Sequence, residues 1–200
     1  MNPSAIVFGS RGGIGGAVYD LLQQSQFRVH GVSRSEIDWN SHDSYHKAQW
    51  LLDQMRPDIV VNCAGIFQDG TQQSHHETFN VNVGSNWALI RYLDTHCRNR
   101  SLHLIMIGSS SHDGGRAAYP LYSASKAAVY NLWQSARDLF AGSSVMVSLV
   151  NPQRTRTKMN AAHYDPKLAY HEPQQVAEQV LAVIGGNSSI CINMQLEKTQ

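Results

Sequence analysis

Apolar residues fall along this chain in short dense runs. Residues 5–8 (AIVF), 27–33 (FRVHGVS), 58–65 (DIVVNCAG), 102–110 (LHLIMIGSS), 144–150 (SVMVSLV) and 189–193 (SICIN) are of strand length. Most of them are apolar at consecutive positions, which is the mark of a strand buried on both faces. Between the runs the apolar spacing turns helical. Ile14, Val18, Leu21 and Leu22 follow the first run. Residues 44–54 form a second helical stretch, stopped by Pro57, and residues 74–98 a long third one. Residues 120–140 place Val129, Leu132, Trp133, Ala136, Leu139 and Phe140 on one face. Residues 173–184 are opened by Pro173. A very short strand is expected around Ile37, directly after the second run. Alternating strands and helices predict an α/β fold, a parallel sheet covered by helices on both sides. Such sheets bind ligands at the carboxyl ends of their strands, near the switch point.

Composition narrows the function classes. Two hundred residues, 42% apolar and 16% charged, suit one globular unit with a real core. A net charge of +1 gives no case for nucleic acid or an anionic membrane surface. No apolar run approaches the roughly 20 residues that span a bilayer. The start, MNPSAIVFGS, enters a strand at once and carries no secretory pattern. Cys63, Cys97 and Cys191 are odd in number and scattered, as expected of reduced thiols in a cytoplasmic protein. The pattern HDSYH at 42–46 imitates a zinc helix but has no third ligand at suitable spacing, and His75 and His76 read as surface residues. No metal site is expected.

The informative residues lie just after the runs. GSRGGIGG (residues 9–16) follows the first strand and opens a helix. Glycines there allow a tight turn and close approach of backbone to a pyrophosphate, and the helix N-terminus adds N–H groups and a positive dipole end. Two spacings are open: Gly9, Gly12 and Gly15, or Gly9, Gly13 and Gly15. After the second run, where a dinucleotide fold commonly carries an acid for the ribose 2′-hydroxyl, the chain has Ser33 and then Arg34. Losing the acid removes repulsion toward a 2′-phosphate, and arginine can bind one bidentately. Arg11 can add to this. NADP(H) is therefore expected over NAD(H), with Asp38 a candidate for the adenine amino group.

Tyr122 and Lys126 stand four apart in the helix at 120–140 and so share a face. Neither Tyr119 nor Tyr130 has a lysine four residues on. A free phenol titrates near 10, and a nearby ammonium is expected to lower that value. Tyr122 can then give a proton to a carbonyl oxygen as hydride arrives, or take one back.

Six segments in order resemble the short-chain dehydrogenase/reductase family in its classical branch. FGSRGGIG is similar to the family's T-G-x-x-x-G-I-G, with Phe8 for threonine. NCAG (residues 62–65) is similar to N-N-A-G, VNV carries the helix asparagine as Asn82, and IGSSS ends a strand as the family's serine segment does. YSASK (residues 122–126) matches Y-x-x-x-K. NPQRTRTKM resembles P-G-x-x-x-T, with Gln153 for glycine. The similarity spans about residues 5–185. It implies a single-domain Rossmann-like fold over residues 1–200, with about seven strands in the order 3-2-1-4-5-6-7. It also implies hydride transfer between NADP(H) and a small carbonyl or alcohol.

The family's serine lies thirteen positions before its tyrosine, which singles out Ser109. The resemblance implies Ser109, Tyr122, Lys126 and Asn82 as the catalytic set, with Lys126 also on the nicotinamide ribose and Asn82 holding a water beside it. Implied cofactor contacts are Gly9, Ser10, Arg11, Gly13, Ile14 and Gly15 in the first turn. Ser33, Arg34 and Asp38 follow the second strand, and Asn62, Ala64 and Gly65 the adenosine side. Tyr122, Lys126, Pro152, Thr155 and Thr157 complete the set, Thr157 at the nicotinamide carboxamide. Tyr119 is expected at the pocket mouth and Tyr130 in packing. Arg154, Arg156 and Lys158 read as a solvated loop, with a substrate phosphate or carboxylate as the alternative. PQRTRT weakly resembles reductases of pentulose phosphates. The stretch between Thr157 and Pro173, which covers the substrate in the family, is short. A short tail disfavours a sugar-nucleotide epimerase, and the intact catalytic set disfavours a cofactor sensor without turnover. A homodimer or homotetramer through the helices at 74–98 and 120–140 is implied.

Overall fold

The computed structural model describes residues 2–67 and 74–196. Six strands form one parallel sheet: β1 (Ser4–Phe8), β2 (Arg28–Val32), β3 (Ile59–Asn62), β4 (Leu102–Ile107), β5 (Val145–Asn151) and β6 (Cys191–Asn193). Their order is β2-β1-β3-β4-β5-β6. The helices are α1 (Gly13–Gln24), α2 (Ser44–Met55), α3 (His75–Phe79), α4 (Ser85–His96), α5 (Pro120–Leu139) and α6 (Pro173–Ile184).

Strict alternation of side chains along each strand splits the core into two layers. Ile6, Phe8, Val60, Leu104, Met106, Val147 and Leu149 face α2, α4 and α5, where they meet Leu52, Leu89, Leu93, Val129 and Trp133. Ala5, Val7, Val61, Ile105, Ile107 and Val150 face α1 and α6, where they meet Val18, Leu22, Val176 and Val180. In-register pairs such as Ile6–Val60 and Val60–Leu104 keep each layer continuous across the sheet. This is why the strands read as unbroken apolar runs. A fully buried Leu or Ile in either layer contributes roughly 2 kcal/mol.

The sheet has one strand fewer than the sequence pattern suggests. Among the described residues none of the segment around Ile37 is a strand; residues 34–36 turn instead. Glu36 and Ile37 both donate their backbone N–H to the Ser33 carbonyl, at 3.1 Å each. The turn drops Ile37 and Trp39 into the core, with the Trp39 ring 5.6 Å from Phe8. So few residues separate β2 from this point that no crossover could bring them back beside β2 as a parallel strand. The remaining order is the expected one with that strand removed.

The long helix expected over 74–98 is interrupted by one π-helical turn, Asn80–Gly84, between α3 and α4. Such turns insert one residue into a helix and re-aim its neighbours. Here the turn carries Asn82, which is fully buried.

Candidate active site

The first turn is held by sterics. Gly9 has φ +75, and a Cβ there would lie 2.8 Å from the Cys63 carbonyl group. A Cβ on Gly15 would lie 2.1 Å from the Gly9 carbonyl oxygen. A Cβ on Gly13 would lie 2.7 Å from the Thr157 methyl, whereas Gly12 has more room, 3.2 Å from the Gly9 oxygen. Backbone contact thus forbids a side chain at Gly9 and Gly15, while the Thr157 side chain crowds Gly13. Gly12 serves as N-cap of α1 with no side-chain cap, and the first turn of α1 holds no acid. The uncapped N–H groups and this bare cradle fit a pyrophosphate. Ser10, Arg11 and Ile14 lie in the same turn, where the Ser10 N–H is bonded back to Val32.

Four carboxyl-end loops meet around this cradle. Cys63 and Ala64, after β3, touch Gly9. Gly65 lies between Asn82 and Lys126: a Cβ on it would be 3.5 Å from Asn82 Oδ1 and 3.9 Å from Lys126 Nζ. Thr157 covers Gly13 and is closed by Asn160, whose Oδ1 accepts from the Thr157 N–H at 3.1 Å. Pro152 accepts from the Ser110 N–H at 3.0 Å, and Thr155 bridges to His171, pinning the loop after β5 to the segment before α6.

Two asparagines expected at the site, Asn62 beside the cofactor and Asn82 holding a water near Lys126, are turned inward. Asn62 donates to Ser85 Oγ (2.9 Å) and Asn86 Oδ1 (2.8 Å), and accepts from the Ala64 N–H (3.2 Å). Both of its amide protons are spent on α4. The backbone it holds, rather than its side chain, is what a ligand would meet. Asn82 accepts from the Ile66 N–H at 2.8 Å and donates to Ile66 O (3.1 Å) and Ser125 Oγ (2.9 Å). Ser125 in turn donates to Tyr122 O at 2.7 Å. Asn82 therefore clamps the loop after β3 onto the helix that carries the tyrosine.

The reactive groups stand at the end of β4. Ser109 accepts at Oγ from the Ser111 N–H (3.1 Å) and its own N–H donates to Asn151 Oδ1 (3.1 Å). Lys126 is buried, and its Nζ donates to the Ile107 carbonyl at 3.0 Å. Desolvation pulls the Lys126 ammonium down to about 8, so it remains largely charged at pH 7. Its Nζ lies 5.7 Å from the centre of the Tyr122 ring. Burial pushes the Tyr122 phenol up; a hydrogen bond with Ser109 opposes this, and Tyr119 adds to it. The lowering expected from Lys126 is not found: its ammonium is turned to Ile107, and desolvation sets the direction. A phenol held protonated is the state that can donate.

An aromatic cluster surrounds Tyr122. Phe67 packs edge-on against Tyr119 (5.0 Å), Tyr122 (5.0 Å) and His163 (5.3 Å). Tyr119, expected at a pocket mouth, packs within this cluster. Phe67 and His163 carry no pattern of their own and are found only in three dimensions. Tyr130 packs, stacked on His112 at 4.4 Å. Arg156 pairs with Glu172 at 2.8 Å beneath Tyr164 and Tyr170, and Arg154 donates to Ala169 O at 3.2 Å; both face the α6 segment rather than Tyr122. Lys158 is exposed at the start of a 3-10 turn, Lys158–His163.

The 2′-phosphate candidates are also engaged. Arg34 is largely exposed and pairs with Asp38 at 3.3 Å. Asp38 further accepts from the Asn40 N–H at 3.1 Å, which lowers its pKa together with Arg34. Ser33 donates to Glu36 from both N–H and Oγ. Asn151 and Glu36 were not marked by any sequence motif; Glu36 alone had a local signal, the Ser-x-x-Glu spacing of a capping turn.

The comparisons with known proteins bear on the family and the fold. The chain is 26% identical over 194 residues to the bifunctional ribulose 5-phosphate reductase/CDP-ribitol pyrophosphorylase Bcs1 of Haemophilus influenzae, covering 92% of this chain and 41% of that protein. Across the curated relatives it matches, the chain spans between 41% and 66% of their length. The fold superposes on the 3-alpha-hydroxysteroid dehydrogenase of a Pseudomonas species complexed with NADH, with TM-score 0.82, 21% identity and 96% and 94% of the two chains covered. It superposes equally on a short chain dehydrogenase of Burkholderia cenocepacia in complex with NADP, with TM-score 0.81, 22% identity and 97% and 96% covered. The family model for short chain dehydrogenase matches residues 37–167, which hold the Ser109, Tyr122 and Lys126 cluster. The chain belongs to the short-chain dehydrogenase/reductase family of oxidoreductases.

Proposed function

We propose that residues 1–200 act as one oxidoreductase domain that transfers hydride between NADP(H) and a small carbonyl or alcohol, chiefly as a reductase. The observation that carries this is the grouping of Tyr122 with buried Lys126, whose Nζ lies 5.7 Å from the ring, and with buried Ser109, while burial pushes the phenol's pKa up. The bound nicotinamide supplies the hydride. Tyr122 donates its proton to the carbonyl oxygen as negative charge grows there. Ser109 hydrogen-bonds the same oxygen, with its backbone held by Asn151. Lys126 holds the nicotinamide ribose and keeps a positive charge behind the phenol. Asn82 sets the distance between the β3 loop and α5.

NADP(H) is favoured over NAD(H) because Arg34 and Arg11 can pair with a 2′-phosphate and the position that commonly carries an acid is Ser33, although the Glu36 carboxylate reaches that serine. Assembly through α4 and α5 as a homodimer or homotetramer, in the cytoplasm, belongs to the same reading; Trp87 on α4 is 49% exposed and would be covered. Among the described residues no helix is long and apolar enough to cross a membrane.

Replacing Tyr122 with Phe tests the chemistry. Turnover is expected to vanish while cofactor affinity stays within about threefold, since the ring and its Phe67 contact remain. Retained turnover would remove Tyr122 as proton donor.

A second reading gives the substrate as a pentulose phosphate. The Haemophilus relative, matched over 92% of this chain, favours it. Exposed Lys158 opens the 3-10 turn whose last residue, His163, meets Phe67, and offers a phosphate contact. NADPH oxidation against ketones, aldehydes and pentulose phosphates separates the two. Selective turnover of the phosphorylated ketose supports the second, and equal turnover of its unphosphorylated analogue refutes it.

A further inference from the structure

The turn after β2 already holds an anion, and it is the chain's own. Ser33 is buried, and its N–H and Oγ–H both donate to a single oxygen, Oε2 of Glu36, at 2.8 and 2.7 Å. Ser35 Oγ lies 2.8 Å from Ser33 Oγ. The Ser33 bonds, and more weakly the Arg11 charge, lower the pKa of the Glu36 carboxyl. Two convergent donors make a site suited to one anionic group.

The shape of the turn does not need this carboxylate. Backbone bonds from Glu36 and Ile37 to the Ser33 carbonyl close it, and buried Ile37 and Trp39 anchor it. Glu36 itself is exposed. Its carboxylate is thus held by donors that another anion could take without undoing the fold.

We propose that Glu36 is an internal competitor of the adenosine 2′-phosphate: it occupies the Ser33 donors in the free protein and must leave before a 2′-phosphate can use them. This rests on the reading that the adenosine ribose lies at Ser33 and Arg34. A 2′-hydroxyl brings no charge and can donate to the Glu36 carboxylate where it stands. Glu36 therefore weakens NADP(H) selectively and narrows the discrimination that Ser33, Arg34 and Arg11 would otherwise give.

The test is the dissociation constant of NADPH and of NADH, read by calorimetry, for the native chain and for Glu36→Gln, Glu36→Asp and Arg34→Ala. Glu36→Gln is expected to tighten NADPH about tenfold, the order of a charge-assisted hydrogen-bond competition, and to move NADH by less than about twofold. Glu36→Asp keeps the charge but shortens the reach, so an intermediate tightening is expected. Arg34→Ala is expected to weaken NADPH more than NADH. If Arg34→Ala does so while Glu36→Gln leaves NADPH unchanged or weaker, the competitor role is overturned and the ribose reading stands. If neither substitution alters the NADPH to NADH ratio, the ribose reading fails and the inference fails with it.

Discussion

Replacing Lys126 with Met should make the protein more stable and inactive. The Nζ of Lys126 is buried, with the Ile107 carbonyl as its hydrogen-bond acceptor at 3.0 Å. Burial lowers its pKa from 10.5 to about 8. That drop corresponds to about 3 kcal/mol of destabilisation of the charged form relative to the unfolded chain. Met has a similar length and no charge. It leaves the Ile107 carbonyl without a donor, at a cost of about 1 kcal/mol. The net gain is about 2 kcal/mol, or roughly 4–8 °C in Tm for a chain of this size.

The sign with pH follows from which state holds more protons. Between about 8 and 10.5 the unfolded lysine is protonated and the folded one is not, so native stability rises with pH through that window. Below pH 8 the penalty is fully present. The gap between Lys126→Met and the native chain should be widest at pH 7 and smaller at pH 9.5. Thermal unfolding followed by far-UV circular dichroism at both pH values measures it. A lower Tm for Lys126→Met at pH 7, or a gap independent of pH, would refute the reasoning. Loss of turnover in the stabilised variant would mark Lys126 as kept for function at the expense of stability.

Gly15→Ala should cost about 2 kcal/mol or more, because its Cβ would lie 2.1 Å from the Gly9 carbonyl oxygen and backbone must move. A drop in Tm together with weaker cofactor binding is expected, and unchanged values of both would contradict the steric argument. His103, buried in β4 with Nε2 2.8 Å from Ser148 Oγ, is held neutral by burial, which lowers its pKa from 6.5 to about 4. Its contribution is intact above pH 6.5 and is lost as pH falls toward 4, by about 3 kcal/mol. Tm measured from pH 7 to 4.5 should therefore fall more steeply for the native chain than for His103→Gln; parallel curves would remove His103 as the acid-labile group.

The parts of this protein legible in its sequence are those governed by neighbours along the chain. Ile6, Phe8, Ala5 and Val7 alternate between two apolar layers, so a doubly buried strand is readable from four residues. The turn from Gly9 to Gly15 is readable as a tight glycine turn because Gly9 has a positive φ and Gly15 is crowded by Gly9 itself, whereas the choice of Gly13 over Gly12 is set by distant Thr157. Tyr122 and Lys126 share a helix face by their spacing alone.

Tertiary structure decided what depends on partners far along the chain. The segment at Ile37 has strand-like residues, yet burial of Ile37 and Trp39 against Phe8 was reached by a turn. By resemblance, Asn62 is a cofactor contact and Asn82 a member of the catalytic set. Only the fold shows that their amides are consumed by Ser85, Asn86, Ile66 and Ser125. The Ser109 N–H finds Asn151 forty-two positions away. The pKa of Tyr122 moves opposite to the expectation from its lysine because desolvation depends on what covers a group, not on what precedes it. Helix and strand period are set within a few residues of backbone geometry. Hydrogen-bond partners and burial are set by which surfaces the sheet brings together, and no local pattern encodes that choice.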